Sequence, residues 1–298
     1  MPDAERKKSF QIAITGAGGI LGTALRACLP EGPDAMVAVG LTRADLDITQ
    51  PEAVQARLEE ISPDAVIHAA AYTKVDAAEE EPDAARAVNA AGAANVARTC
   101  ASLGCRLIHL STDYVFDGTS DRPYREDDPV SPLGVYGATK WEGEEAVRAH
   151  GPADSLIVRT AWVYGPAGRN FVDAILEKGA LGEPVRVVND QRGAPTYSAD
   201  LAGALKALLR TEARGVVNVT GGGECTWYDF AREILSAAGQ DPAVVEPTLA
   251  RLLGRKAPRP AYSVLDGSVY RDWTGRPLRS WAEALRDYLA QRGALLEG

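Results

Sequence analysis

Tyr136 and Lys140 stand four residues apart in the stretch YGATK, and upstream of them an apolar run, RLIHLS, gives out into Ser111, Thr112, Asp113 and Tyr114. In a helix the four-residue spacing stacks both side chains on one face, so an ammonium can sit beside a phenol. A nearby cation favours the phenolate and lowers a pKa that is about 10 in free tyrosine. The phenol then becomes a proton donor and acceptor usable near neutrality. The hydroxyl cluster lies where a buried strand would deliver it, and ligands of open α/β sheets sit beyond the carboxyl ends of the strands. A surface helix carries such a Tyr/Lys pair by chance often enough that the rest of the chain must decide.

The elements that would position these groups follow a regular cadence. Apolar segments of strand length at 10–15, 36–41, 64–70, 106–111 and 155–162 alternate with Ala-rich amphipathic stretches at 52–61, 82–104 and 137–150. Strand, helix, strand at this spacing means right-handed crossovers and a parallel sheet covered on both faces. The expected fold is therefore α/β, a doubly wound, Rossmann-like parallel sheet occupying residues 1–165. After about residue 165 come a loop (GPAGRN), a helix (FVDAILEKGALG) and a strand opening into a loop (EPVRVVNDQRGAPT). A helix over 198–211 and a strand over 215–221 are expected to rejoin the main sheet, so that about 198–222 returns to the first domain. The remainder of 166–298 reads as a smaller C-terminal substrate-binding lobe.

At the first strand-to-helix junction, TGAGGILG sets Gly16, Gly19 and Gly22 at three-residue intervals. A tight turn, backbone approach to a pyrophosphate and close packing of helix on strand each require a glycine, and the helix N-terminus adds aligned N–H groups. This predicts dinucleotide binding, with Ile20 and Leu21 of the same turn among the cofactor contacts. The second strand ends in GLTRADLDIT, without the acidic residue that would bind an adenosine ribose. Arg43 there can pair with a ribose 2′-phosphate, which favours NADPH and leaves NADH open, unless it is an ordinary solvated arginine. Asp47 and Ile48 would flank the adenine. Ala69, Ala70 and Ala71 end the third strand, where they let a flat ligand lie against the backbone or simply pack a helix. His68 and His109, on buried strands, read as satisfied core histidines.

Composition narrows the class. A formal charge of −9 argues against a surface built for nucleic-acid phosphates or anionic membranes. No apolar run approaches the roughly 18 residues of a membrane helix, and the start has no export signal. The four cysteines lack metal-ligand spacing and fit reduced thiols in the cytoplasm. No metal site is expected; Glu283 and Glu297 read as plain surface carboxylates.

Glycine loop, strand-end threonine and helical Tyr/Lys in this order resemble the extended short-chain dehydrogenase/reductase superfamily. Further stretches, AAAYTKVDAAE (69–79), STDYVFDG (111–118), SPLGVYGATKWEGE (131–144), RTAWVYG (159–165), NDQRGAPT (189–196), CTWYDFA (225–231) and RPAYSVLD (259–266), are similar to one family in it, dTDP-4-dehydrorhamnose reductase. The resemblance implies a triad in which Thr112 hydrogen-bonds the substrate oxygen, Tyr136 passes a proton, and Lys140 tunes Tyr136 while holding the nicotinamide ribose. It implies NAD(P)H-dependent reduction of the C4 carbonyl of dTDP-4-dehydro-6-deoxy-L-mannose to dTDP-L-rhamnose. Val75, Asp113, Tyr114 and Trp162 would border the sugar. Asn170, Gln191 and Gly193 would hold the nucleotide and Arg259 the diphosphate, with Arg255 and Lys256 in the same loop. Trp227, Trp273 and Trp281 read as structural, and Trp141 as core packing or a neighbour of the site.

The chain departs from the family pattern at Tyr262, where Asn is common. Tyr114 after Asp113, in place of an acidic residue, disfavours elimination chemistry. Three alternatives stay open: a 4-ketoreductase for another nucleotide-linked deoxysugar, an epimerase that retains its NAD, and a non-catalytic regulatory subunit resembling the methionine adenosyltransferase beta subunit. Oligomeric state, a homodimer included, is left open.

Overall fold

The apolar runs form parallel strands because each is covered on both faces: Ile12, Ala13 and Ile14 of the first, Val66 and Ile67 of the third, and Leu107 and Ile108 of the fourth are all fully buried. The computed structural model describes residues 9–30 and 36–293. Its strands are β1 (Gln11–Thr15), β2 (Val37–Leu41), β3 (Ala65–His68), β4 (Arg106–Thr112), β5 (Leu156–Thr160), β6 (Val163–Tyr164), β7 (Val185–Val188), β8 (Arg192–Gly193), β9 (Thr196–Tyr197), β10 (Gly215–Asn218), β11 (Cys225–Thr226) and β12 (Val245–Thr248). Six of them make one parallel sheet in the order β10-β5-β4-β3-β1-β2. The order reverses at β1, which puts the ligand crevice of such a sheet at the carboxyl ends of β1 and β3.

Helices α1 (Ile20–Cys28), α2 (Pro51–Ile61), α3 (Val75–Ala78), α4 (Pro82–Arg86), α5 (Gly92–Leu103), α6 (Val135–His150), α7 (Phe171–Ala180), α8 (Ser198–Leu208), α9 (Trp227–Ala237), α10 (Ser268–Thr274) and α11 (Trp281–Gln291) complete the chain. The stretch expected to be one helix over 82–104 is interrupted by a π-helical turn at Ala87–Ala91. Asn89 in that turn explains it. Its side chain accepts from Tyr72 N at 2.8 Å and donates to Tyr72 O and Thr139 Oγ1, tying the end of the β3 loop to α6.

The run expected to extend to residue 162 stops at Thr160. Trp162 takes a left-handed φ of 48° and turns the chain into β6, which pairs with β9. A second core, including Tyr164, Ile175, Phe230, Leu235, Leu285 and Tyr288, gathers α7, α9 and α11. Thr226 with Asp229 and Ser280 with Glu283 form capping boxes on α9 and α11, which gives Glu283 a structural role. Among the described residues no cluster suits a metal ion and no helix is long and apolar enough to cross a membrane. Glu297 and the first eight residues lie outside the described part.

Candidate active site

The glycine loop is dictated by close contacts. Gly16 has φ +72°, and a Cβ there would lie 2.6 Å from Ala70 N; one on Gly22 would lie 2.3 Å from Gly16 O. These two glycines let the β1 turn press against the end of β3 and α1 pack on the turn. Gly18 has ordinary room, with nothing nearer than 3.7 Å to an added Cβ, whereas one on Gly19 would sit a tight 3.3 Å from Gly16 O. The first turn of α1 carries no acidic residue and its N-cap, Gly19, offers no side chain. Its N–H groups are therefore left for an anion.

At the end of β2, Thr42 donates through N and Oγ1 to Asp45 Oδ2, at 2.9 and 2.7 Å, so this carboxylate caps its own turn. Arg43 beside it is exposed on the rim of the cavity. Asp47 accepts from Thr49 N and Oγ1, which holds its carboxyl below the ordinary range.

The hydroxyl cluster and the Tyr/Lys pair meet. Thr112 and Tyr136 line the same cavity, and Thr112 donates to Asp113 Oδ1 at 3.1 Å and accepts from Tyr114 N at 3.2 Å. The Tyr114 ring stands edge-on to Tyr136 at 5.6 Å. Lys140 donates to the Leu110 carbonyl at 2.6 Å. Ser111 turns away from this group and donates to Glu144. Burial dominates the electrostatics: it pushes Tyr136 up to about 12, Asp113 up to about 7 and Lys140 down to about 8. The phenol is thus raised, against the expectation that the lysine would lower it. Removal from water outweighs the influence of the neighbouring Thr112 hydroxyl, and Lys140 spends one of its donors on a backbone carbonyl.

One cavity of about 940 Å³ joins these parts. Its wall includes Gly16, Gly19, Ile20, Leu21, Gly22, Arg43, Asp47, Ile48, Ala69, Ala70 and Ala71 at one end and Val75, Thr112, Asp113, Tyr114, Tyr136, Lys140, Trp162 and Asn170 at the other. Three expected residues stand apart from it. Arg259 is bound bidentately by Asp76, at 3.0 and 2.7 Å, as part of the pairing of the basic loop with the carboxylates of the 75–81 segment. Gln191 is buried outside the cavity wall, and Gly193 lies behind Trp162, where an added Cβ would come 2.6 Å from the indole. Asn170 reaches the wall, but its amide is engaged as the N-cap of α7, accepting from Val172 N and donating to Gly165 O.

The sequence places Trp227 among the structural tryptophans, and the fold gives it a further position. Its ring stacks on Trp162 at 3.6 Å and 11° and it forms part of the cavity wall, with Phe171 edge-on at 4.6 Å. Only the fold brings the two indoles together. The histidines also differ from expectation. His68 bonds Thr15 Oγ1 at 2.7 Å, whereas His109 makes no hydrogen bond within the described chain and instead stacks on His68 at 5.1 Å.

The family model described as the RmlD substrate binding domain matches residues 10–293. A dTDP-4-dehydrorhamnose reductase from Streptomyces griseus is 45% identical over 279 residues, covering 92% of this chain and 91% of the relative. A dTDP-4-keto-6-deoxy-D-glucose reductase from Streptomyces niveus is 44% identical over 272 residues, covering 91% and 94%. The crystal structure of the Bacillus anthracis dTDP-4-dehydrorhamnose reductase in complex with NADP superimposes with a TM-score of 0.90 at 38% identity, over 95% of this chain and 100% of that one. A sheet that reverses at a glycine turn, a Thr/Tyr/Lys group in the same cavity and similarity along nearly the whole length lead to one assignment: the chain belongs to the dTDP-4-dehydrorhamnose reductase family.

Proposed function

We propose that this protein uses NADPH to reduce the C4 carbonyl of dTDP-4-dehydro-6-deoxy-L-mannose, giving dTDP-L-rhamnose. The observation that carries the reading is the single cavity in which the glycine turn and the Thr112/Tyr136/Lys140 group face the same space. The residues present suit the cofactor. The open N-terminus of α1 and the Gly18–Gly19 backbone would take the pyrophosphate, Arg43 the 2′-phosphate, Asp47 and Ile48 the adenosine, and the Ala69–Ala71 strand end and Lys140 the nicotinamide half. Bound NADPH would supply the hydride for the carbonyl carbon.

The chain's own groups manage the oxygen. Burial keeps the Tyr136 phenol protonated across neutral pH, so in the reductive direction the proton donor is already in hand. Thr112 and Tyr136 donate to the carbonyl oxygen as negative charge gathers there, and Tyr136 Oη then releases its proton to that oxygen. The Lys140 ammonium, charged below about pH 8, steadies the phenolate left behind. The Trp162–Trp227 stack and Phe171 close the sugar side with apolar rings that exclude water. Buried Cys100, Cys105 and Cys225, present as thiols, suit work in the cytoplasm.

The Streptomyces niveus relative, at 44% identity, favours a second reading in which another dTDP-4-keto-6-deoxyhexose is the substrate. Steady-state assays of reduced-nicotinamide absorbance with each dTDP-ketosugar, and with NADPH against NADH, separate the two. The proposal expects the highest kcat/KM for dTDP-4-dehydrorhamnose with NADPH. A preference for the other sugar supports the second reading, and no oxidation of either cofactor with any dTDP-ketosugar overturns both.

A further inference from the structure

One turn beyond Lys140 on α6, Glu144 is fully buried at the centre of a charged cluster for which the reaction described above has no use. Its Oε1 accepts from Ser111 Oγ at 2.6 Å and from Arg159 Nε at 2.9 Å. Its Oε2 accepts from Arg159 Nη2 at 2.8 Å and from Arg148 Nη2 at 3.0 Å. Ser111 and Arg159 are cross-strand partners at the ends of β4 and β5, one residue before Thr112 and Thr160. Arg159 is itself 1% exposed, with Nη1 on the Glu126 carbonyl and its guanidinium 5.1 Å from the Phe116 ring. A buried ion pair gains little net stability over well-packed apolar groups of the same volume, so a role other than stability is called for.

The geometry supplies one. The reacting groups come from two elements, Thr112 from β4 and Tyr136 with Lys140 from α6, and their spacing depends on how the helix is set against the strand end. Two contacts on successive turns of α6 fix that setting, Lys140 Nζ to Leu110 O and Glu144 to Ser111. We propose that Glu144 is a positioning residue: it locks α6 to the ends of β4 and β5 and supplies the counter-charge that faces the Lys140 ammonium. This inference depends on reading Thr112, Tyr136 and Lys140 as the reacting groups.

The groups that act on Lys140 are Glu144, one turn along its own helix, His68 from β3, and His109 and the Leu110 carbonyl from β4, with Tyr136 one turn before it on α6. Burial keeps both histidines neutral, and Glu144 is the carboxylate that holds up the charge of Lys140 against its own burial.

Glu144→Gln alone leaves the Arg159 guanidinium buried without its anion and can fail to fold. The double variant Glu144→Gln/Arg159→Met removes both charges while the amide oxygen still accepts from Ser111. It is measured beside Glu144→Asp and Tyr136→Phe for folding by circular dichroism, NADPH affinity by titration, and kcat against pH with the dTDP-ketosugar. For the double variant the proposal expects the alkaline limb of kcat to move down by about one pH unit, with the Kd for NADPH within about threefold of the parent. Glu144→Asp, which keeps the charge and shortens the reach, lowers kcat and leaves the limb in place. A double variant whose profile overlays the parent's, or one that does not fold, makes the pair a purely structural element and overturns the proposal. Full activity in Tyr136→Phe brings down the reading of the reacting groups and this inference with it, whereas a dead Tyr136→Phe beside an unaltered double variant removes the inference alone.

Discussion

Tyr136 is held between two opposed influences: enclosure by protein raises its pKa, and the neighbouring Thr112 hydroxyl lowers it, with enclosure prevailing at about 12. A phenol so placed holds its proton until a developing oxyanion draws it off, so its hydroxyl matters chiefly in the transition state. Tyr136→Phe should therefore lower kcat by roughly 10² or more while the Kd for NADPH changes by less than about threefold, as read from single-turnover rates and direct titration. Loss of NADPH binding in parallel with turnover would instead make the ring a binding surface. The four-residue spacing of Tyr136 and Lys140 was legible because a helix face follows from residue numbers alone. The direction in which the phenol moves was not, because it depends on how much protein surrounds the ring and on Lys140 being drawn to the Leu110 carbonyl.

At the scale of elements, the turn after β5 decides the shape of the sugar side. Trp162 holds a backbone conformation that L-residues seldom adopt, and its indole is fixed between Trp227 on one face and Gly193 at its edge. Gly193→Ala places a methyl where only 2.6 Å separates the Cβ position from the indole, so the ring must leave its stack on Trp227. The expected result is a KM for the dTDP-ketosugar raised about tenfold, an unchanged Kd for NADPH, and a loss of about 1–3 kcal/mol in unfolding free energy from overpacking. An unchanged KM in a destabilised variant would show that the indole wall does not meet the sugar. Strand and helix order could be read from periodicity because burial on both faces leaves a continuous apolar run, as in Val66–Ile67 and Leu107–Ile108. What periodicity missed are features set by partners distant in sequence: the π turn imposed by Asn89 reaching Tyr72 and Thr139, the Trp162–Trp227 stack, and Arg259 captured by Asp76. Each side chain was visible in the sequence, but the group it would meet was not.

Across the whole molecule, surface and interior respond to acid in opposite ways. With a formal charge of −9, mild acid relieves repulsion among surface carboxylates and by that route favours the compact state. The interior counters this through His68, lowered to about 3, and His109, also held well below the ordinary histidine range, both by burial. Their folded pKa values lie below the unfolded value of about 6.5, so the native state binds fewer protons, and the stability they contribute is present above that pH and lost as pH falls. Asp113 acts in the other sense. Its folded pKa of about 7 exceeds the unfolded value, so its contribution grows as pH falls from about 7 towards 4. Two histidines against one carboxylate leave a net loss of stability that steepens as pH falls from about 6.5 to 5. His109→Leu removes one of the two and should leave unfolding free energy nearly level across that window, whatever constant offset the new side chain adds. Urea unfolding of parent and variant at a series of pH values checks this, and equal slopes in the two proteins would show that the buried histidine pair is not the origin of the acid sensitivity.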